Sequence, residues 1–304
     1  MINIVLAADN NYIQHCVTTL TSILENSDST IDFFILTSGF TEESISVLTN
    51  IENKYKCKIA IIYVNNDIFK NAPLPESLKH INLVTYYRIL IPQLLPENIH
   101  KVIYLDCDIV VRKDIKELWE IELGNVALGA VFQTPLASIE DRNRLNISDE
   151  FGYFNAGVLL INLTLWRNDN IMDKCMHYMS KNRDLIIYHD QDILNAVLFD
   201  NVVAIPFKWN MMTHYFFKTN KWVNILEKKT ILEIQKEQKD PSLIHYVFVP
   251  KPWDKNCDHP FKNEYFYYAT KNNTSIRIPQ DDFIFKIKQL IKTIYYYFVK
   301  GGYV

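Results

Sequence analysis

The sequence predicts an α/β protein with a mostly parallel central sheet, and three observations predict it. Apolar, β-branched runs alternate along the chain with segments of helical periodicity. One of those runs, VIYL at 102–105, is apolar at every position, as a strand covered on both faces must be. The chain has 304 residues, 48% of them hydrophobic, which is ample for one large α/β domain or two smaller ones.

Taken in order, residues 3–8 read as a strand and 12–24 as a helix. Residues 31–36 form the next strand, and TEES from Thr41 has the polar cap and acidic first turn of a helix start. Residues 58–64 and 102–105 are strands, as are 127–132 and 158–161. Residues 190–198 read as a helix whose first turn carries Asp190 and Asp192, a placement the helix dipole favours. Short strands are expected at 202–205 and 243–247. Composition changes at KNNTS from Lys271, which divides a catalytic-sized unit, 1–269, from a linker and tail, 270–304.

Several classes are disfavoured. A formal charge of −3 supplies no basic field for nucleic acid. No apolar run is long enough to span a membrane. MINIVLAADNN lacks a basic segment followed by a long apolar stretch, so a cytoplasmic protein is expected. The five cysteines are scattered and odd in number, matching neither zinc spacing nor a disulfide framework, and are expected as free thiols. On that reading Asn146-Ile-Ser and Asn162-Leu-Thr are chance matches to a glycosylation pattern. With seven glycines there is no G-x-G-x-x-G and no Walker A loop, so bound phosphates would need another source of positive charge.

VIYLDCDIVV at 102–111 raises the chemical question. Asp106 and Asp108 lie two apart, so their side chains share a side of the strand end, while Cys107 points away into the core. Two carboxylates facing one point repel unless a positive charge sits between them. Asp190-Gln191-Asp192 repeats the pattern, so Asp-x-Asp by itself is cheap. ADNN at 8–11 also falls at a strand's carboxyl end, the edge where parallel sheets bind ligands.

Four further segments decide the reading: HINLVTYYR (80–88), YFNAGVLLIN (153–162), HDQDILN (189–195) and HYVFVPKPW (245–253). In this order, with residues 7–12 and Asp-Cys-Asp, the chain resembles glycosyltransferase family 8 from about Ile4 to Trp253. That family includes glycogenin and bacterial lipopolysaccharide α-galactosyl- and α-glucosyltransferases; the short lipooligosaccharide α-galactosyltransferases are most alike. The resemblance implies the single-domain nucleotide-sugar transferase (GT-A) fold with a Rossmann-like sheet. It implies a retaining transfer of galactose or glucose from UDP-hexose to a glycan acceptor, possible targets being lipid-linked or protein-linked.

Carried onto this chain, the resemblance implies that Asp106, Asp108 and His245 hold a divalent metal, usually Mn²⁺ with Mg²⁺ an alternative, which carboxylate and imidazole donors suit. It places His80 and Lys251 on the diphosphate, and Ala7, Asp9 and Asn11 around the uracil, with a cap at the helix start as the structural alternative for Asp9. It places Arg88, Asn155, Gly157, Asp190 and Gln191 around the hexose, with Gln191 beside the anomeric carbon and Asp190 stabilising its positive charge. Because an amide is a poor nucleophile, front-face internal return is favoured over a covalent intermediate. Asn162 and Trp166 are expected to serve packing. The chain departs from the pattern at Phe248, where relatives often carry Gly, and at Gln133, where many carry an acid near the acceptor. Without turnover the same residues would make a sugar-nucleotide-binding protein; a sugar-nucleotide pyrophosphorylase would need a glycine- and basic-rich N-terminal loop that is missing.

In the tail, Phe283, Ile287, Leu290, Ile291, Ile294 and Phe298 share one face at helical spacing, with Lys288, Lys292 and Lys300 towards the other. A basic amphipathic helix after a polar linker suits an anionic membrane surface, here the inner face of the cytoplasmic membrane; docking on the protein's own core is the alternative.

Overall fold

The structure, a computed structural model, describes residues 1–74, 82–133, 135–217, 228–272, 279–282, 284–289 and 291. His80, Phe283, Leu290 and the basic and apolar residues from Lys292 onward lie outside the described residues.

The expected strands form one seven-stranded sheet in the order β3-β2-β1-β4-β7-β6-β8. They are β1 (Ile2–Ala7), β2 (Ile31–Thr37), β3 (Lys58–Tyr63), β4 (Lys101–Leu105), β6 (Leu128–Phe132), β7 (Phe154–Asn162) and β8 (Val202–Ala204). β1 pairs in parallel with β2 and β4, β2 with β3, and β6 with β8; β7 runs antiparallel to both β4 and β6. The apolar runs follow from burial on both faces. Val102 and Tyr104 join the core on one side, while Ile103 and Leu105 join that on the other. Helix α1 (Ile13–Asn26) follows β1, and α2 (Glu42–Tyr55) starts at Thr41, whose hydroxyl accepts from Ser44 N.

β7 begins at Phe154, four residues before its wholly apolar stretch, because Phe154 pairs with Phe132 across an irregularity in the ladder. The strand expected at 243–247 stops at His245. There Tyr246 N turns to Asp108 O (2.9 Å) and Phe248 takes a left-handed backbone, φ 65°. The shortened β10 (Leu243–His245) joins β5 (Ile109–Val111) and β9 (Met211–Met212) in a small second sheet. Antiparallel pairing sets His245 opposite Ile109, the residue after Asp108. That register brings the imidazole to the paired carboxylates.

Candidate active site

Asp106 and Asp108 follow the carboxyl end of β4, and His245 closes on them from β10. His245 Nε2 lies 3.2 Å from Asp108 Oδ1 and 3.7 Å from Asp106 Oδ2. Three ligating atoms of this set lie within 4.8 Å of one another, close enough to hold one ion. Cys107 points away as expected, and its Sγ donates to Ala7 O (3.2 Å).

The residues present fit a divalent cation on two counts besides donor chemistry. Asp108 Oδ1 is buried without a hydrogen-bond partner, a costly state for a carboxylate oxygen unless a cation meets it. Gly157 supplies the space. A Cβ there would stand 2.3 Å from His245 Cε1 and 2.6 Å from Asp106 Oδ2. Burial pushes the Asp108 carboxyl up, but the Lys251 ammonium, foremost, outweighs it and holds the group well below the usual carboxylate range. Lys251 Nζ binds Asp108 Oδ2 at 2.5 Å and also donates to Tyr246 O.

A second layer rises from the 3₁₀ helix Leu83–Leu90, whose three-residue repeat stacks Thr85 and Arg88 on one face. Both meet Asp190: the Thr85 hydroxyl donates to Oδ1, and Arg88 Nε pairs with Oδ2 at 2.8 Å. The same guanidinium binds Asp106 Oδ1 at 2.8 Å, donates to Ala156 O, and lies 4.2 Å from the Tyr104 ring centroid. Burial opposes the Arg88 charge, yet Asp106 and Asp190 raise its pKa further. Burial also pushes the Asp190 carboxyl up, to about 6, against the opposing pull of Arg88 and Thr85. Gln191, beside it, accepts from Asn155 Nδ2 (3.0 Å) and Ala156 N (3.1 Å), and donates to the Tyr153 hydroxyl (2.9 Å).

The fold thus gathers Arg88, Asp106, Asp108, Asn155, Gly157, Asp190, Gln191, His245 and Lys251. Asp9 lies just ahead of α1, where Oδ1 accepts from Tyr12 N (3.0 Å); Tyr12 itself is the N-cap, and no side chain caps the helix. Asp9 Oδ2 accepts from Asn82 Nδ2 (2.7 Å) and from exposed Asn11 (3.4 Å). Gln133 follows β6, its N donating to Tyr153 O (2.8 Å). Phe248 is 69% exposed, and its positive φ explains why glycine suits this position. Trp166 packs in the core, its indole donating to Ala127 O, while Asn162 instead caps the helix Leu163–Asn168. Thr85, Tyr104, Tyr153 and Asp192 enter the site unassigned by the sequence, although all four lie inside segments that marked it. Asn210 carried no signal at all.

The family model described as "Glycosyl transferase family 8" matches residues 3–257. The chain belongs to that family. General stress protein A of Bacillus subtilis (strain 168) is 31% identical to this family 8 chain over 281 residues, covering 90% of it and 96% of the relative. A lipopolysaccharide 1,2-glucosyltransferase of Escherichia coli (strain K12) is 25% identical, covering 90% and 78% respectively. Among solved structures, the galactosyltransferase LgtC in complex with donor and acceptor sugar analogs superposes with a TM-score of 0.77 at 26% identity, over 94% of this chain and 100% of that one. The fold is therefore the GT-A fold of this family of glycosyltransferases.

Proposed function

We propose that the protein is a metal-dependent, retaining hexosyltransferase that moves galactose or glucose from UDP-hexose to a glycan acceptor in surface-glycan synthesis. The observation that carries this reading is one site in which Asp106, Asp108 and His245 converge beside Asp190 and Gln191. Relatives named for glucosyl and galactosyl transfer support the hexose class.

Asp106, Asp108 and His245 would hold Mn²⁺ or Mg²⁺, which supplies charge to stabilise the departing diphosphate. Lys251 brings a further positive charge to the same edge. Gln191 faces the anomeric carbon, and its Oε1, already held by two donors, stays a weak nucleophile. The bond from C1 to the phosphate oxygen breaks, the bond from C1 to the acceptor oxygen forms on the same face, and a phosphate oxygen takes the acceptor's proton. Asp190, ionised above about pH 6, opposes the positive charge that develops at C1. Arg88 holds Asp106 and Asp190 at a fixed separation by ion-pairing with both.

The tail supports a peripheral membrane location at the cytoplasmic face. Residues 284–289 and 291 are helical, and Ile284, Ile287 and Ile291 are 68, 41 and 60% exposed beside exposed Lys286 and Lys288. Among the described residues no helix is long and apolar enough to cross a membrane.

The test is UDP release from UDP-galactose and UDP-glucose, each with Mn²⁺ and with chelator. Slow, chelator-sensitive release from one donor is expected, and it names the sugar. Absence of both release and metal-dependent UDP binding would overturn the reading. Near-normal transfer by Gln191→Ala would remove Gln191 from its place at the anomeric carbon.

A further inference from the structure

A single run of hydrogen bonds joins the two halves of this site, and its sense is forced at every step. At one end the buried Asp192 carboxylate takes Ile187 N and Tyr188 N (both 2.7 Å) and the Arg144 guanidinium (2.9 and 3.1 Å). A carboxylate in that company only accepts, so the Tyr153 hydroxyl, 2.7 Å away, donates its hydrogen bond to it. The Tyr153 oxygen is then left to accept from Gln191 Nε2.

Side-chain amides can usually be turned either way round, but here backbone N–H groups decide. Ala156 N can only donate, so the Gln191 atom facing it is Oε1. Gly157 N (3.0 Å) likewise fixes Asn155 Oδ1, which leaves Asn155 Nδ2 to donate to Gln191. Asn155 Oδ1 also accepts from Asn210 Nδ2 (2.8 Å). The Asn210 Oδ1 therefore faces His245 Nδ1 and accepts a hydrogen bond from its N–H (2.8 Å). In the neutral imidazole, His245 Nε2 is then left with a lone pair directed at Asp106 and Asp108, the form that binds a metal.

We propose that Asn210 is a positioning residue that sets the metal-binding tautomer of His245 and, by a second bond to Asn155 Oδ1, steadies the Asn155–Gln191 amide pair in the orientation the backbone gives it. This inference rests on the transferase reading above. It assigns Asn210 two separable duties: its oxygen serves the imidazole, and its amide nitrogen serves Asn155. Full burial of Asn210 leaves no water to replace either bond.

The two duties are separated by two substitutions in the full-length protein. Asn210→Leu removes both bonds, while Asn210→Asp keeps the acceptor for His245 Nδ1–H and loses the donor to Asn155. Mn²⁺ uptake in the presence of UDP is read by calorimetry, and turnover by UDP release from UDP-hexose at saturating Mn²⁺, with circular dichroism and urea midpoints confirming the fold. Asn210→Leu is expected to weaken Mn²⁺ uptake on the order of 10- to 100-fold. Asn210→Asp is expected to restore uptake yet release UDP about tenfold more slowly than the wild type. A folded Asn210→Leu with wild-type uptake overturns the proposal, as does Asn210→Asp with wild-type turnover or without restored uptake. Should Asn210→Leu fail to fold, Asn210→Asp still decides. Wild-type protein that takes up no Mn²⁺ with UDP present overturns the transferase reading itself, an outcome distinct from a failure of the variants alone.

Discussion

At Asp190, burial and ion pairing pull in opposite directions, and burial prevails. Its native pKa of about 6 lies above the roughly 3.9 of an unfolded aspartate. Between those values the native protein keeps a proton that the unfolded chain has released. The stability tied to Asp190 is therefore fully present below about pH 4 and is lost as pH rises through about 6. From pH 4 to 7, metal-free wild type should lose on the order of 3 kcal/mol relative to Asp190→Asn, measured by urea unfolding. Parallel curves for the two proteins would contradict this. Gly157 gives a second prediction. Its φ suits any residue, but a methyl group would push into His245 and Asp106, so Gly157→Ala should fold and weaken Mn²⁺ uptake by tenfold or more in calorimetry. Unchanged uptake would mean that the ring moves aside without consequence. Both residues stand in segments legible from the sequence; the contacts that give them these properties are not.

Among the elements, the strands were the most legible, because a sheet buried on both faces demands apolar residues at consecutive positions. Residues 102–105 show this, and β4 adds only Lys101, whose ammonium reaches Trp119 O and Ile121 O. The antiparallel sense of β7 was not legible, since an apolar run reads the same in either direction. Nor was the helix Leu83–Leu90 anticipated: its 3₁₀ repeat lacks the 3.6-residue spacing that marks an amphipathic α-helix. The start of β4 is fixed by Arg167, which donates to Pro92 O, Leu95 O, Pro96 O, Glu97 O and Ile99 O at 2.8–3.1 Å. Arg167→Met should destabilise the protein by about 2 kcal/mol in urea while Mn²⁺ uptake stays intact. A loss of uptake without a change in stability would show that this clamp acts on the site instead.

For the whole molecule, the tail is the part whose role is separable. Asp281 and Asp282 are tied back to Asn256, and Asp281 also to Lys262 at 2.8 Å, so a chain ending at Asp282 keeps its anchor. That truncation should lose binding to phosphatidylglycerol-containing vesicles in a flotation assay and keep metal-dependent UDP release. Loss of folding on truncation would instead assign the exposed isoleucines to the protein's own core.

The positions of the strands along the chain and the carboxyl-end placement of Asp106 and Asp108 follow from local patterns, since burial on two faces and side-chain alternation are written into neighbouring residues, while membership in family 8 was legible from the motifs. The meeting of His245 with those carboxylates is different. It depends on the antiparallel register of β10 against β5, which no local pattern encodes. The same holds for Asn210, whose chemistry is that of any asparagine until the fold places it between an imidazole and a second amide. Long-range pairing is a property of the closed chain, so the tautomer of His245 and the orientation of Gln191 are decided only there.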